Sequence, residues 1–400
     1  YAFHPAAMPS TLHRPSTPIV VALAVLSIGP ASLALARSAP VGRVLSSSFP
    51  SGGLLNLGNT CYLNSQLECA YHVPLVRDLV TDPPLAPGSI APASPALKSL
   101  GDVFKGMEAA SQRDGGGQAV STAILCRTMG IPAWEQQDAQ EFWKLLLPEV
   151  QLPRLLDLYR GSYEGYIAAL DGSERERKRE EKFLDLSLEV SSGSLVSSVE
   201  DMFCKPELLS KEEGNGWRPE RGADKVDALK GSLLRADGLP SLLQLHLMRF
   251  KYDWRTDSMS KINDRFKFPR RLDLSSICTD HEGDGDVQGT EYELQSVVVH
   301  MGGYGSGHYY AYVRPDVRRH IWYRFDDDKV SEVTYREVVA DAYGGQSRNK
   351  DVQEEQKGFI ARLFGGGATG GRFGWGGRTS SAYMLQYVKR SDIPTLFGEE

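Results

Sequence analysis

The chain has few cysteines and no excess of positive charge, and these shortages exclude several classes of protein. Only five of its 400 residues are cysteine, and no two have the C-x-x-C spacing of paired zinc ligands. They therefore predict neither a disulfide framework nor a zinc site, and they favour a reducing compartment. With 45 Lys and Arg against 51 Asp and Glu, the net charge is −6, so we expect no nucleic-acid partner.

The remaining composition is that of an ordinary globular protein. Hydrophobic residues make up 41% and charged residues 24%, which excludes a collagen-like, a wholly disordered or a polytopic membrane protein. The length allows two or three domains or one large enzyme fold.

The first 52 residues form a separate appendage. The uncharged stretch 18–36 contains an apolar run at 19–28, which resembles a secretory signal or an interrupted membrane helix. Against secretion, no asparagine lies in an Asn-x-Ser/Thr glycosylation site. We treat 1–52 as outside the fold, expect no membrane association apart from it, and predict location in the cytoplasm and nucleus.

Three further segments are predicted to be loops because their composition cannot form a packed core. Residues 82–95 are rich in Pro and Ala, 112–118 are rich in Gly, and 346–381 form a glycine-dense insertion.

Cys61 is a candidate nucleophile. Gly58 and Asn59 favour a sharp turn, Thr60 is a suitable helix N-cap, and apolar residues follow Cys61 at helical spacing. The positive end of a helix dipole lowers the pKa of a thiol in the first turn, and the thiolate is the reactive form. A buried structural cysteine is the alternative.

A base and an orienting carboxylate are available far downstream. Strands are predicted at 294–300 and 309–313, with a glycine-rich loop between them and His308 at its end. A short aromatic strand then leads into Asp326, Asp327 and Asp328. A thiol, an imidazole and a carboxylate form the set needed for nucleophilic catalysis, although a surface histidine and a solvated turn are the alternatives.

A helix is predicted from Asp138 to Pro148. Asp138 is a suitable N-cap, Glu141 occupies the third helical position as in a capping box, and apolar residues recur at helical spacing between them and Pro148.

Six segments in the same order resemble the ubiquitin-specific proteases. They are the segment around Cys61, QQDAQEFWKLLL (136–147), LPSLLQLHLMRF (239–250), KINDRFKFP (261–269), the segment from His308 to the aspartates, and AYMLQYVKR (382–390). The resemblance covers about residues 53–390. Within the family, these segments look most similar to those of the herpesvirus-associated member. It implies an α+β, papain-like cysteine protease fold with a thumb at about 53–155, fingers and palm at about 156–390, and a short tail at 391–400.

The resemblance also implies roles for single residues. Cys61 would be the nucleophile, His308 the general base, and Asp326 the carboxylate that orients His308, with Asp327 as an auxiliary residue. Asn56 would stabilise the oxyanion; without the resemblance, its expected role is to stabilise a turn.

Four residues are expected to bind the substrate on the same grounds. Asp138 and Glu141 would meet the basic C-terminal tail of ubiquitin, and Asp138 can do so only if its second oxygen is free of the helix cap. His300 would lie near the site. Tyr309 would help to wall a channel that admits only Gly-Gly, although a core aromatic residue is the alternative.

Many family members bind structural zinc through two C-x-x-C pairs. At the approximate places of those pairs, this chain has Ala169 and Gly172, and Pro219 and Gly222. We therefore expect no metal, and no cofactor.

The expected activity is thiol-dependent hydrolysis after the C-terminal glycine of ubiquitin, with ubiquitin and ubiquitinated proteins as partners. A catalytically silent ubiquitin-binding module and a protease for another ubiquitin-like modifier are the alternatives. A secreted or lysosomal papain-type protease is suggested only by the hydrophobic N-terminus.

Overall fold

Helices dominate the first part of the chain in the computed structural model, which describes residues 52–84, 93–111, 118–279, 289–345 and 380–399. Nearly all of the predicted appendage, and most of each of the three predicted loops, lie outside these ranges. None of the helices within them combines the length and the hydropathy that a membrane crossing requires. The helices are Cys61–Tyr71 (α1), Pro74–Thr81 (α2), Pro95–Ser111 (α3), Ala123–Thr128 (α4), Ala139–Val150 (α5), Pro153–Tyr159 (α6), Leu195–Cys204 (α7), Tyr335–Ala342 (α8) and Ile393–Phe397 (α9).

Strands dominate the rest, so the predicted mixture of helix and sheet is confirmed. They are Gly161–Ala169 (β1), Glu176–Phe183 (β2), Leu186–Glu189 (β3), Glu207–Leu209 (β4), Ala228–Leu234 (β5), Leu242–Met248 (β6), Phe250–Asp253 (β7), Ser258–Lys261 (β8), Arg271–Asp273 (β9), Glu291–Gly303 (β10), Ser306–Val313 (β11), Trp322–Asp326 (β12), Lys329–Val333 (β13) and Ser380–Lys389 (β14).

The largest sheet has the order β13-β12-β11-β10-β14-β6-β3, and β9 also pairs with β10. All its pairs are antiparallel except β3 with β6. A second sheet has the order β2-β1-β5-β4, and β7 and β8 form a separate hairpin. In the second sheet, β2 is an edge strand whose residues are exposed up to Phe183, as expected for a charged strand that avoids edge-to-edge association.

Helix α1 lies at the centre of the fold, and every one of its residues is buried. A row of buried amides joins it to the large sheet. Gln244 donates to Gln386 at 3.0 Å, Gln386 donates to Gln295 at 2.9 Å, and the Gln295 amide reaches the carbonyl oxygen of Cys69 in α1 at 3.4 Å. Because buried amides are costly without partners, this row specifies how the helix sits on the sheet.

Helix α5 confirms the predicted cap and corrects the predicted end. Asp138 caps the helix by accepting from the backbone N–H groups of Gln140 and Glu141 at 2.7 and 3.2 Å. The helix does not stop at Pro148 but continues to Val150. A proline removes only one backbone donor, and here it does so in the last turn, where little helix remains to be disrupted.

Gly53 lies where the segment before α1 meets the turn between β12 and β13. A Cβ atom on Gly53 would lie 2.3 Å from the carbonyl oxygen of Asp327. The next residue, Leu54, donates its backbone N–H to that oxygen at 2.9 Å. Only a glycine therefore permits this approach of two backbones.

Replacing Gly53 with alanine should lower the stability of the fold, because the new methyl group would push the two backbones apart. We expect a loss of about 1–3 kcal/mol, measured by thermal or urea unfolding. Gly303→Ala is the matched control, because no atom lies within 4 Å of a Cβ at that position. Equal stability of the two variants would contradict this account of Gly53.

Candidate active site

Cys61 is the first residue of α1, as predicted, and its side chain is only 3% exposed. The turn before it depends on Gly58, whose φ is 129°, a value that side chains rarely allow. Thr60 occupies the N-cap position, but its hydroxyl does not cap the helix. Instead it accepts the backbone N–H of Leu57 at 3.0 Å and tightens the turn.

His308 lies within strand β11 rather than at the end of a loop, so the predicted glycine loop is wrong. Strands β10 and β11 continue to a tight hairpin whose connection is only Tyr304 and Gly305. Gly302 and Gly307 pair with each other inside the hairpin. A Cβ on Gly302 would lie 2.8 Å from the Cα of Gly307. The glycines therefore allow two strands to approach closely, and do not mark a long loop.

The structure brings Cys61, His308 and Asp326 together. His308 Nε2 and Asp326 Oδ1 are 2.5 Å apart, which leaves Nδ1 as the ring nitrogen that can face the thiol. Burial opposes the charge on His308, but hydrogen bonds to Asp326 and Cys61, and their negative charges, raise the pKa of His308 to about 10. Burial also acts against the Asp326 carboxylate, yet His308 and Arg324 lower its pKa. A positively charged imidazole between a thiol and a carboxylate is suited to nucleophilic catalysis.

Arg324 supports the carboxylate from behind, and sequence reasoning missed it. Its guanidinium donates to Asp326 Oδ2 at 2.8 Å and lies 4.3 Å from the ring centroid of Tyr310. The Tyr310 hydroxyl in turn donates to Asp341 of α8 at 2.5 Å. Arg324 is only 3% exposed, so its charge is stabilised by Asp326 and by the aromatic face. The available signal was a basic residue two positions before the aspartate on the same strand.

Asp327 joins the two halves of the site. Its φ is 54°, which turns its side chain towards α1. It accepts the side-chain amides of Asn56 at 2.9 Å and Asn64 at 2.8 Å, and its Oδ2 lies 4.0 Å from His308 Nε2. Burial raises the pKa of Asp327, although the two amides act in the opposite direction. Asp326 is thus the direct partner of His308, and Asp327 is tied to the segment that carries the thiol.

Asn56 makes the contacts expected of a turn residue and also has an amide available near the site. Its Oδ1 accepts the backbone N–H groups of Gly58 and Thr60 at 3.0 and 3.1 Å. Its Nδ2 donates one hydrogen to Asp327, and the residue is exposed. A side-chain amide carries two N–H donors, so the second remains for a bound group.

Asp138 has no oxygen free of protein contacts. One oxygen caps α5, and the other accepts the hydroxyl of Tyr383 on β14. Asp138 can therefore bind the substrate only if Tyr383 shares or releases this second oxygen. Glu141 is exposed. The complete capping box among the described helices is that of Thr334 and Glu337 at α8.

His300 and Tyr309 are both buried and pair across the hairpin. Their rings contact each other with centroids 4.7 Å apart, and Tyr309 also contacts the ring of Tyr383 at 5.6 Å. Burial and the positive charges of Lys261 and His308 lower the pKa of His300 to about 3. The tyrosine side chain has the surroundings of a core residue, whereas its backbone N–H faces the Cys61 sulfur at 3.5 Å.

Gln136 was not predicted, yet it spans the site. Its side-chain N–H donates to the carbonyl oxygen of Gly307 at 2.7 Å, and its Oε1 accepts the Gly307 N–H at 3.1 Å. Its Nε2 also lies 3.9 Å from the Cys61 sulfur. The only signal in the sequence was a pair of glutamines before the predicted helix cap.

One group of three side chains in the described part of the chain has the spacing of metal ligands, and it consists of His308, Asp326 and Asp327. Their atoms are already used in the contacts described above. The spacing of the three side chains is therefore explained by these contacts.

The family model for ubiquitin carboxyl-terminal hydrolase matches residues 52–387. The chain is 32% identical over 354 residues to Ubiquitin C-terminal hydrolase 13 of Arabidopsis thaliana, and this match covers 85% of the chain and 29% of that protein.

Two other relatives show the same pattern. Identity to Ubiquitin carboxyl-terminal hydrolase 15 of Schizosaccharomyces pombe is 32%, covering 85% of this chain and 28% of that protein. Identity to Ubiquitin carboxyl-terminal hydrolase 7 of Drosophila melanogaster is 28%, covering 87% and 28%. The chain therefore spans less than a third of the length of these relatives.

Replacing Asp326 with Asn should lower the pKa of His308, because the bonded carboxylate is the main group that raises it. We expect a fall of about 1–3 pH units, measured by NMR titration of the imidazole signals. Asp327→Asn should have a smaller effect, and exposed Asp328→Asn serves as the control. A larger change in Asp327→Asn would identify Asp327 as the orienting carboxylate.

The charge on His308 should stabilise the fold within a defined pH range. Its folded pKa, about 10, lies above the ordinary value of 6.5. The stabilisation is therefore complete below pH 6.5 and is lost as the pH rises through the folded value. The Tm advantage of wild type over His308→Gln should shrink between about pH 6 and pH 10 in calorimetry. A constant or growing difference would refute this assignment of charge.

Proposed function

The chain belongs to the ubiquitin carboxyl-terminal hydrolase family, and on that basis we propose that it is a thiol-dependent deubiquitinase. The reaction is hydrolysis of the isopeptide or peptide bond after the C-terminal glycine of ubiquitin. Ubiquitin and ubiquitinated proteins are its proposed partners.

The observation that carries the proposal is the contact of a thiol, an imidazole and a carboxylate from three separate segments. Cys61 starts α1, His308 lies on β11, and Asp326 ends β12. Their contacts match the roles of nucleophile, base and orienting group. Against the effect of burial, Asp326 raises the pKa of His308 and so favours a protonated imidazole beside the Cys61 sulfur.

The proposed reaction has two steps. In the first, the Cys61 sulfur attacks the carbonyl carbon of the terminal glycine, and the C–N bond breaks as His308 protonates the leaving amine. This forms a thioester on Cys61. In the second, His308 removes a proton from water, which attacks the thioester and releases ubiquitin with a free carboxylate and the enzyme with its thiol.

Asn56 is the proposed oxyanion donor. In each step the carbonyl oxygen becomes negatively charged, and an N–H aimed at that position stabilises the transition state. The contacts of Asn56 support this role because its Oδ1 and one amide hydrogen are held by the turn and by Asp327. The second amide hydrogen is thereby oriented in advance.

The substrate tail is proposed to meet Asp138 and Glu141, whose carboxylates suit basic side chains. Exposed Glu141 is the better placed of the two, since Tyr383 bonds the second oxygen of Asp138. Tyr309 is proposed to narrow the channel through the position of its backbone and ring, and His300 to support that ring from the neighbouring strand.

The finer assignments rest on the same resemblance. We propose that the helical part to about residue 155 is a thumb, that the four-stranded sheet is a set of fingers, and that the large sheet is a palm in a papain-like fold. The amino-acid sequences of segments 239–250 and 261–269 favour a relation to the herpesvirus-associated member. The five cysteines are all free thiols, which supports the cytoplasm and nucleus as the location.

Reaction with a ubiquitin whose C-terminus carries an electrophile tests the proposal. Wild type should form a covalent adduct, detected as a mass increase, because the thiol attacks the electrophile at the position of the scissile carbonyl. Cys61→Ala should form none while still binding ubiquitin in a calorimetric titration. Cys69→Ala is the control, because Cys69 is buried within the same helix and makes no direct contact with His308 among the described contacts.

Other results of this experiment would favour one of the alternative functions. Ubiquitin binding without labelling of wild type would favour a catalytically silent binding module. Absence of both would refute the proposal and point to another ubiquitin-like modifier. Labelling of Cys61→Ala would show that a different residue is the nucleophile.

A further inference from the structure

Beside the Cys61 thiol, one edge of strand β11 is not paired with another strand among the described residues. On one side β11 pairs with β10 along its whole length, but on the other side β12 pairs only with Ala311, Tyr312 and Val313. In an extended strand, alternate residues present their N–H and C=O groups to the same edge. Gly307, Tyr309 and Ala311 therefore share the edge that faces away from β10.

Three different groups occupy this edge in succession. Ala311 pairs with Phe325 of β12. The Tyr309 N–H faces the Cys61 sulfur at 3.5 Å. Both backbone groups of Gly307 are bonded by one side chain, the amide of Gln136.

The amide of Gln136 bonds Gly307 as a peptide strand would. A side-chain amide carries the same N–H donor and C=O acceptor as a peptide group, so it can bond both backbone groups that Gly307 would otherwise offer to a neighbouring strand. Because β12 occupies the edge at Ala311, a peptide whose carbonyl carbon reached Cys61 along this edge would come from the Gly307 side and run parallel to β11. Its preceding backbone would lie close to Gly307, since an extended parallel chain advances about 3.3 Å per residue. The same edge can therefore hold either Gln136 or an added strand, but not both.

We propose that Gln136 is a displaceable latch: its side-chain amide occupies the backbone groups of Gly307 in the free enzyme, and the extended backbone of the substrate tail replaces it there. This inference rests on the proposed function, because it requires a peptide tail that ends at Cys61. Addition of a strand to an open sheet edge is a general mode of peptide recognition. With this latch, the substrate tail has to displace the contact between Gln136 and Gly307. A segment that cannot lie extended along β11 forms no replacement hydrogen bonds there and therefore does not displace Gln136.

Steady-state hydrolysis of ubiquitin carrying a C-terminal fluorogenic amide tests the latch. In Gln136→Ala and Gln136→Asn, the competing amide is absent or too short. KM should therefore fall about three- to tenfold, the value expected for removing one or two hydrogen bonds that oppose binding. The kcat should stay within about twofold, and Gln137→Ala, a change at the neighbouring glutamine, should alter neither value.

A different role of Gln136 would change kcat and KM in a different way. If Gln136 only positions His308 through Gly307, kcat should fall about tenfold or more with KM unchanged, and the latch is overturned. Unchanged kcat and KM would also overturn it. If wild type hydrolyses no ubiquitin substrate, the proposed function fails and the latch fails with it, whereas the first two results leave the proposed function intact.

Hydrogen exchange at the Gly307 amide gives a second measurement that does not depend on turnover. In Cys61→Ala, this amide should exchange slowly with Gln136 present, and faster when Gln136→Ala is added. Saturating ubiquitin should restore slow exchange in the double variant, because the tail now accepts the Gly307 N–H. Fast exchange in the presence of bound ubiquitin would overturn the proposal.

Discussion

The site depends on the backbone contact between Leu54 and Asp327, which joins two segments that lie far apart in the sequence. The Leu54 N–H donates to the Asp327 carbonyl at 2.9 Å, and Gly53 permits the approach because it has no Cβ. The Asp327 side chain then bonds Asn56 and Asn64, which are 271 and 263 residues away. Asp326 directly precedes this junction. The carboxylate that bonds His308 and the helix that carries the thiol are therefore held in one fixed arrangement.

A second constraint is the burial of charge. A buried ion without a partner costs several kcal/mol, so buried charges have to be arranged in pairs or networks. Here charges of opposite sign alternate from the thiol inwards: positive His308 is followed by negative Asp326 and then by positive Arg324. Behind them, the Tyr310 ring receives the guanidinium, and its hydroxyl is held by Asp341. The geometry of the His308–Asp326 pair is thus tied to helix α8 through Arg324, Tyr310 and Asp341.

Strand β11 connects these features. One of its faces carries His308 towards the acidic turn, whereas its open edge presents backbone groups to Cys61 and Gln136. Helix α1 can reach that edge because the buried amides of Gln295 and Gln386 fix it against the sheet. The same strand therefore positions His308 and presents the edge at which we propose that the substrate tail binds, and the alternation of side chains and backbone groups separates the two.

The sequence by itself determined the local features: the helix that begins at Cys61, the cap at Asp138, the existence of strands over 294–300 and 309–313, and the types of reactive group present. These features depend on residues within a few positions of one another, and on periodicities that follow from helix and strand geometry. Only the structure showed that Gly302 and Gly307 let β10 and β11 approach closely, and that Pro148 lies in the last turn of α5, where the lost backbone donor disrupts little. Gln136, Arg324, Asn64 and Tyr383 were found only in the folded chain. Their partners lie on other elements, and strand register and helix docking, which no local pattern encodes, decide which side chains meet.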